Sequence, residues 1–159
     1  MPAASRLDFA MKYDFRHLGF RPATMDRRFR VVIPPAWRPD ADEPLFLLLS
    51  RTHELPVLKV LTQKGYEEEV KRISESDASE GRKRLLQGAL AMHCRCATLN
   101  DQSRLLLPKD LCEKVGLVPG TEVVMAGRGE HFEIWNKANF DTVLEIETRY
   151  QDRDELGIF

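Results

Sequence analysis

Two copies of one pattern make up most of the sequence, and this repeat limits the possible folds more than any other feature. The segment FRPATMDRRFRVVIP (residues 20–34) aligns without a gap on CRCATLNDQSRLLLP (residues 94–108), at an offset of 74 residues. The same offset places LKVLTQKGY on FEIWNKANF, with apolar residues facing apolar residues. Self-similarity at a fixed period indicates that one structural unit occurs twice.

Each copy carries the same order of local signals. An extended stretch leads into a polar turn, a short apolar strand and a proline that suits the start of a helix. In the second copy, PKDLCEKVGL predicts a short helix that ends at Gly116, and VPGTEVVMAGRGEHFEIWN predicts a β-hairpin. LFLLLSRTHELPVLKVL is the matching hairpin of the first copy. The pattern predicts an α+β fold that is rich in strands.

Helical signals lie between and after the copies. YEEEVKRISESDASEGRKRLLQG predicts a helical linker that is interrupted near Ser76, where Asp77 and Glu80 resemble a capping box, and that ends at Gly88. The segment KANFDTVLEIETRYQDRDELGIF predicts an amphipathic helix, with Phe140, Val143 and Leu144 on its apolar side, followed by an acidic tail.

These patterns divide the chain into five segments, with the two units expected to form one compact domain. The segments are an N-terminal extension expected to be flexible (1–16), a first unit (17–64), a helical linker (65–89), a second unit (90–137), and a C-terminal helix with an acidic tail (138–159). The sequence has no run of about 18 apolar residues and no signal-peptide pattern, so we expect a soluble cytoplasmic protein without a membrane partner.

Arginines are concentrated around the polar turn of the first copy. The net charge is −1, which gives no global attraction to nucleic acid. Between positions 21 and 38, however, the sequence has five arginines and one acid, Asp26, whereas between positions 95 and 114 it has four bases and three acids. An arginine can donate two hydrogen bonds to a phosphate or a guanine, and Asp26 could orient Arg30. A solvated turn with a surface ion pair is the alternative.

Other classes of site have little support in the sequence. Cys94 and Cys96 of the segment HCRC lie on one face of the predicted strand, but a closed zinc site needs four ligands, so we expect both to pack inside the fold. The four histidines have no nucleophile motif beside them. Trp37 and Trp135 occupy positions of the apolar pattern and are expected in the core. We expect no enzyme, no cofactor, no metal and no small-molecule substrate.

The repeated pattern resembles a known family. Two tandem copies of a strand, a turn of the form Asp-x-x-x-Arg, an apolar strand with a following helix, and a hairpin ending in FEIW are similar to MraZ, a bacterial family built from two SpoVT/AbrB-type domains. The resemblance covers about residues 18–140. The segments GRGEHFEIWNKANF and RLLLPKDLCEKVGL carry it most specifically.

This resemblance implies a fold, an assembly and a function. The fold would be a swapped-hairpin (double-split) β-barrel with short helices, and the assembly a ring-like homo-oligomer. The function would be that of a nucleoid-associated transcription regulator, which binds repeated sites on double-stranded DNA upstream of the division and cell-wall gene cluster. The turns would carry the DNA-facing residues, which by position and local charge are Asp26, Arg27, Arg28, Arg30, Asn100 and Arg104.

The sequence departs from the family pattern at four positions. The glycine that usually precedes the arginine is replaced by Phe29 and Ser103, the second acidic residue by Asn100, and the arginine after the helix leucine by Cys112. Because phenylalanine disfavours a left-handed conformation, we expect the first turn to differ in shape or to be strained. Phe29 and Asn100, together with the weaker second patch and the acidic tail from Glu145 to Glu155, favour a second hypothesis, namely an oligomeric structural or partner-binding protein of the same fold that has lost DNA binding.

Overall fold

The computed structural model describes residues 16–40 and 42–159, and within them the chain forms an α+β fold with antiparallel sheets. Apart from Arg16, the predicted N-terminal extension lies outside the described residues. The strands are β1 (Phe20–Thr24), β2 (Arg30–Val32), β3 (Leu45–Thr52), β4 (Leu55–Thr62), β5 (Cys94–Ala97), β6 (Arg104–Leu106), β7 (Glu122–Gly127) and β8 (Phe132–Asn136). The helices are α1 (Gln63–Ser74), α2 (Glu80–Met92), α3 (Lys109–Val115) and α4 (Lys137–Asp152). A 3-10 turn occupies Pro35–Trp37.

The two sequence copies exchange strands in the sheets. The large sheet has the order β1-β7-β8-β4-β3-β5, so the first strand of each copy pairs with the hairpin of the other copy. The small sheet pairs β2 with β6, which again joins the two copies. Elements that lie 74 residues apart are of the same kind: β4 is followed directly by α1, and the equivalent strand β8 is followed directly by α4. The repeat therefore continues into the first helix of the predicted linker.

Both predicted hairpins are confirmed, and their turns have the required backbone geometry. The turn between β3 and β4 consists of His53 and Glu54, which both have positive φ (51° and 65°). Two such residues in succession give the turn whose twist matches that of the flanking strands. In the second hairpin the positive φ is supplied by Gly129 (83°).

One apolar core joins the two copies. Val31 and Ile33 from the first copy and Leu105 and Leu107 from the second are buried in the same cluster. Trp37 belongs to this cluster, while Trp135 belongs to a second cluster under α4, so the prediction that both tryptophans are core residues is confirmed. Because the inward residues of β2 and β6 are packed together, neither copy has a complete core by itself.

The helix ends confirm one prediction and correct two others. The helix α3 ends at Gly116, which has a φ of 72°. The predicted cap at Asp77 is wrong, because Ser79 is the N-cap of α2 and its hydroxyl accepts a hydrogen bond from the Arg82 amide at 3.2 Å. The predicted end at Gly88 is also wrong, since α2 continues to Met92. A glycine inside a helix costs only about 1 kcal/mol, so it does not necessarily end one.

The C-terminal helix α4 packs on the sheet with a narrower apolar face than predicted. Asn136 caps it by accepting a hydrogen bond from the Asn139 amide at 2.8 Å. Phe140 and Val143 are buried, but Leu144 is 41% exposed. Within residues 16–40 and 42–159, none of the helices has the length and apolar content that crossing a membrane requires.

The cysteines of the HCRC segment are placed differently from the prediction. Cys96 is exposed and Cys94 is half-buried, whereas Ala97, on the opposite face of β5, packs against the core. The expectation that both cysteines pack inside the fold is wrong because strand alternation turns them to the outer face. Partial burial raises the pKa of the Cys94 thiol to about 11. Among the described residues, no three His, Cys, Asp or Glu side chains are grouped as metal ligands.

Candidate nucleic-acid interface

The polar turn of the first copy is closed by one aspartate. The Asp26 amide donates to the Arg30 carbonyl at 2.9 Å, and the Phe29 amide donates to the Asp26 carbonyl at 3.1 Å. The Oδ1 atom of Asp26 accepts from the Arg28 and Arg30 amides, each at 2.9 Å. Aspartate and asparagine often stabilise turns in this way, because the side-chain oxygen replaces a backbone acceptor. Both chain ends of the turn are therefore fixed.

The second turn has the same geometry with an asparagine in place of the aspartate. The Oδ1 atom of Asn100 accepts from the Gln102 and Arg104 amides, each at 2.9 Å. The Asn100 amide donates to the Arg104 carbonyl at 3.0 Å. The exchange of Asp for Asn therefore removes a charge without changing the backbone of the turn.

Both turns contain a residue in the left-handed region where glycine is usual in the family pattern. The φ values are 63° for Phe29 and 59° for Ser103. A phenylalanine at this φ is strained, which is one of the two outcomes expected for the first turn. The surroundings hold these residues in place, since the Phe29 side chain packs against the core and its carbonyl accepts from the Leu107 amide at 2.8 Å. The Ser103 carbonyl accepts from the Ile33 amide in the same way.

A single carboxylate lies between the arginines of the two turns. The Oδ2 atom of Asp26 accepts a hydrogen bond from Nε of Arg30 at 2.8 Å and lies 3.8 Å from Nη1 of Arg104. Burial acts to raise the pKa of the Asp26 carboxyl, but hydrogen bonds from the Arg30 amide and guanidinium and from the Arg28 amide lower it below its ordinary value. The carboxylate therefore stays charged and orients Arg30 directly and Arg104 from a greater distance.

The sequence predicted the contact of Asp26 with Arg30 but not its contact with Arg104. The two positions are 78 residues apart in the chain, and only the pairing of β2 with β6 brings them together. Within the described residues, the Arg104 guanidinium forms no hydrogen bond with Asn100, whose side chain bonds only to backbone amides. Asn100 therefore holds Arg104 less firmly than Asp26 holds Arg30.

Arg27 and Arg28 form the outer part of the first turn. Both side chains are exposed, and neither forms an ion pair with another described residue. The loop that contains Gly120 supports the turn from below, because the Gly120 amide donates to the Met25 carbonyl at 2.7 Å. A Cβ atom at Gly120 would lie 3.6 Å from Cγ of Arg27, so the aliphatic part of the Arg27 side chain packs over this glycine. These cations remain available to an anion in solution.

The surroundings of the second turn are more acidic. A cavity of about 350 Å³ is lined by Asn100 and Ser103 of this turn, by the acidic residues Asp40, Asp42 and Glu43, and by one arginine among the described lining residues, Arg38. The exposed residues of this turn, Asp101 and Gln102, add no positive charge. An approaching phosphate would therefore be attracted more strongly by the first turn than by the second.

Comparisons with known proteins agree with the resemblance seen in the sequence. A family model described as "MraZ protein, putative antitoxin-like" matches residues 90–155. A protein of Coxiella burnetii named "Transcriptional regulator MraZ" is 26% identical over 129 residues, which cover 80% of this chain and 84% of the relative. Proteins of the same name are 27% identical in Nitrosomonas europaea, over 82% of this chain and 88% of the relative, and 29% identical in Roseiflexus sp. RS-1, over 80% and 85%.

Proposed function

We propose that this chain, which is similar to proteins named "Transcriptional regulator MraZ" over about 80% of its length, is a sequence-specific DNA-binding transcriptional regulator. The observation that carries the proposal is the cationic first turn, in which Asp26 fixes the backbone and orients Arg30 while Arg27 and Arg28 remain exposed. Arginines held in this way can bind phosphates or the edge of a guanine. Asp26 acts as a positioning residue, and Asn100 with Arg104 forms the weaker second contact.

The proposal extends to the assembly and the target. The strand exchange between residues 17–64 and 90–137 is what a swapped-hairpin barrel of two units requires, with residues 65–89 as a linker and 138–159 as a C-terminal segment. A ring of several chains would present several first turns at once, and weak single contacts would then add up on repeated DNA sites. The proposed sites lie upstream of the division and cell-wall gene cluster, and the proposed location is the nucleoid in the cytoplasm.

A second candidate function is supported by the acidic surroundings of Asn100. Asp40, Asp42 and Glu43 outnumber Arg38 in the cavity beside this turn, and the resulting negative charge would repel a phosphate. An oligomeric structural or partner-binding protein of the same fold would tolerate this charge distribution. It would retain the strand exchange and the core but would bind DNA only weakly and without preference for a sequence.

Fluorescence anisotropy across a range of salt concentrations separates the two candidates. The probes are a duplex from immediately upstream of the gene that encodes this chain and a shuffled duplex of the same composition. We expect tighter binding to the native duplex, with an affinity that falls steeply with salt because arginines displace counterions. Replacing Arg30 with alanine should weaken binding about tenfold or more and make the salt dependence shallower.

Two further variants serve as comparisons. Arg104→Ala should weaken binding less than Arg30→Ala does, because Arg104 is held less firmly and lies in the more acidic turn. Arg51→Ala removes an exposed arginine of β3 and should leave the affinity close to that of the unmodified protein. Equal and weak binding of both duplexes by a folded, assembled protein would refute the regulator and favour the second candidate.

A further inference from the structure

The small sheet of β2 and β6 presents two apolar side chains on the same face as the arginines of the turns. In this antiparallel pair Arg30 lies opposite Leu106, and Val32 lies opposite Arg104. Side chains alternate along a strand, so these four residues point away from the core, while the intervening Val31 and Leu105 are buried in it. Val32 is 48% exposed and Leu106 is 58% exposed.

The four side chains form a square in which each apolar residue has arginines as its neighbours. The arginines occupy one diagonal and the apolar residues the other, and Asp26 lies between the two arginines. The core does not account for Val32 and Leu106, because Val31 and Leu105 already supply the buried contacts of this sheet. Exposed positions of a small antiparallel sheet are usually polar. The exposed apolar pair beside two arginines therefore indicates a ligand with both anionic and apolar features.

The charge of this face indicates the kind of ligand. Arg27 and Arg28 extend the cationic surface beyond Arg30. A second copy of the same face would bring like charges together in a two-fold contact, which is unfavourable. The major groove of DNA is wide enough for a two-stranded β-ribbon and has anionic walls. Its floor displays guanine acceptors and one kind of apolar group, the C5-methyl of thymine.

We propose that Val32 and Leu106 contact thymine methyl groups and thereby determine part of the DNA sequence preference. The proposal rests on the proposed function, since it assigns a role within the same interface. Directly opposite residues of a sheet are about 5 Å apart, and successive base pairs are about 3.4 Å apart. Each contacted thymine should therefore lie within one or two base pairs of a guanine read by Arg30 or Arg104. Because the square has a two-fold arrangement, the two thymines should lie on opposite strands.

Replacement of thymine by deoxyuridine tests this inference, because it removes the C5-methyl and leaves base pairing unchanged. The full-length protein first selects duplexes from a randomised pool, and each thymine of the selected site is then replaced in turn. We expect the binding constant to fall about fourfold at each contacted thymine, the factor for one methyl removed from an apolar contact. At other thymines the binding constant should not change.

Protein variants then identify the contacting side chain. Val32→Ala and Leu106→Ala should each bind the selected duplex more weakly and lose the response to deoxyuridine at one thymine. Val32→Thr keeps a methyl group at the same place and should keep the response. Leu144→Ala removes a partly exposed leucine from α4 and should behave as the unmodified protein does. Thermal unfolding and the molar mass of each variant show that the fold and the assembly are intact.

The outcomes distinguish this inference from the function on which it rests. If the protein selects a duplex sequence and binds it with a steep salt dependence, but no thymine responds to deoxyuridine, the methyl contacts are refuted and the regulator stands. The same holds if Val32→Ala and Leu106→Ala keep the full response. If no duplex sequence is selected, both proposals are refuted.

Discussion

The two copies share one backbone pattern but place their charges differently. In the first copy Glu54 lies in the hairpin turn and Lys59 in the strand that follows it, and at the equivalent positions of the second copy the charges are reversed, as Arg128 and Glu133. Glu54 is exposed whereas the equivalent Arg128 is half-buried, and Lys59 is half-buried whereas the equivalent Glu133 is 1% exposed. The first copy thus carries the charge of Glu54 at its surface, whereas the second uses the equivalent Arg128 in an ionic network around the buried Glu133. One backbone can therefore serve a surface in one copy and the interior in the other.

An ionic network around the buried Glu133 connects the second hairpin with α4. Nε of Arg128 donates to Glu133 at 2.7 Å, and Nη2 of Arg128 donates to Glu147 at 2.8 Å. Glu133 also accepts hydrogen bonds from Trp135 at 3.1 Å and from Thr52 of the first copy at 2.6 Å. The hydrogen bond with Glu147 raises the pKa of Arg128 and, in return, lowers that of Glu147.

The largest effect is expected from breaking this network. Arg128→Ala leaves the Glu133 carboxylate buried without its cation, so the free energy of unfolding should fall by about 3–5 kcal/mol. Glu54→Ala changes the equivalent, exposed residue of the first copy and should alter it by less than about 0.5 kcal/mol. Urea unfolding at a fixed protein concentration measures both. Equal losses for the two variants would contradict the division between interior and surface charges.

The second prediction concerns pH and the pair Val57 and His131, which occupy equivalent positions. Burial lowers the pKa of His131 from 6.5 to about 4; nearby Lys59, His17 and Arg128 act in the same direction, and Glu133 opposes them. In the unfolded chain His131 therefore takes up a proton near pH 6.5, whereas in the folded chain it stays neutral until the pH falls to about 4. Protonation thus favours unfolding as the pH falls through this interval.

The expected loss of stability between these two pH values is about 1–2 kcal/mol, because solvent around the partly exposed ring weakens the effect. His131→Val introduces the residue of the first copy and should make the free energy of unfolding less dependent on pH. Urea unfolding at several pH values provides the comparison. An unchanged pH dependence in His131→Val would assign the effect to other groups.

The third prediction compares the two left-handed turn residues. Ser103→Gly should raise the free energy of unfolding by about 1 kcal/mol, because glycine adopts a positive φ without strain. Phe29→Gly relieves the same strain but also removes a ring that packs on the core, so it should give no gain or a loss. Thermal unfolding measures both variants, with Ser103→Ala as the control that keeps the strain. A gain in Phe29→Gly equal to that in Ser103→Gly would show that the ring contributes no packing.

The smallest effect is expected from making the turns alike. Asn100→Asp gives Arg104 a carboxylate in its own turn, as Asp26 does for Arg30. Better orientation should make Arg104 more important for DNA binding. The loss of DNA affinity caused by Arg104→Ala should therefore be about twofold larger in the Asn100→Asp protein than in the unmodified protein. Anisotropy titrations of the four proteins in the cycle measure the difference. The same cost in both backgrounds would mean that Asp26, at 3.8 Å, already orients Arg104 as well as a carboxylate in its own turn does.

Local patterns in the sequence predicted the elements well. Both hairpins follow from alternating apolar residues, and the end of α3 follows from Gly116, because each depends on residues that are close in the chain. The errors also have local causes. Ser79, not Asp77, caps α2, and Gly88 lies inside the helix, because several residues in this polar segment carry the same signal. Cys96 is exposed because side chains alternate along β5 and this one points to the outer face, which no sequence pattern distinguished from the inner face.

The sequence by itself determined the shape of both polar turns, since Asp26 and Asn100 close them through hydrogen bonds to amides within four residues. Only the tertiary structure decided that Arg104 approaches Asp26 and that Val32 and Leu106 share a face with the arginines. Two copies with the same apolar pattern allow each strand more than one partner of similar chemistry. Burial of both copies in one core selects the exchanged pairing, and this selection depends on contacts distant in the chain.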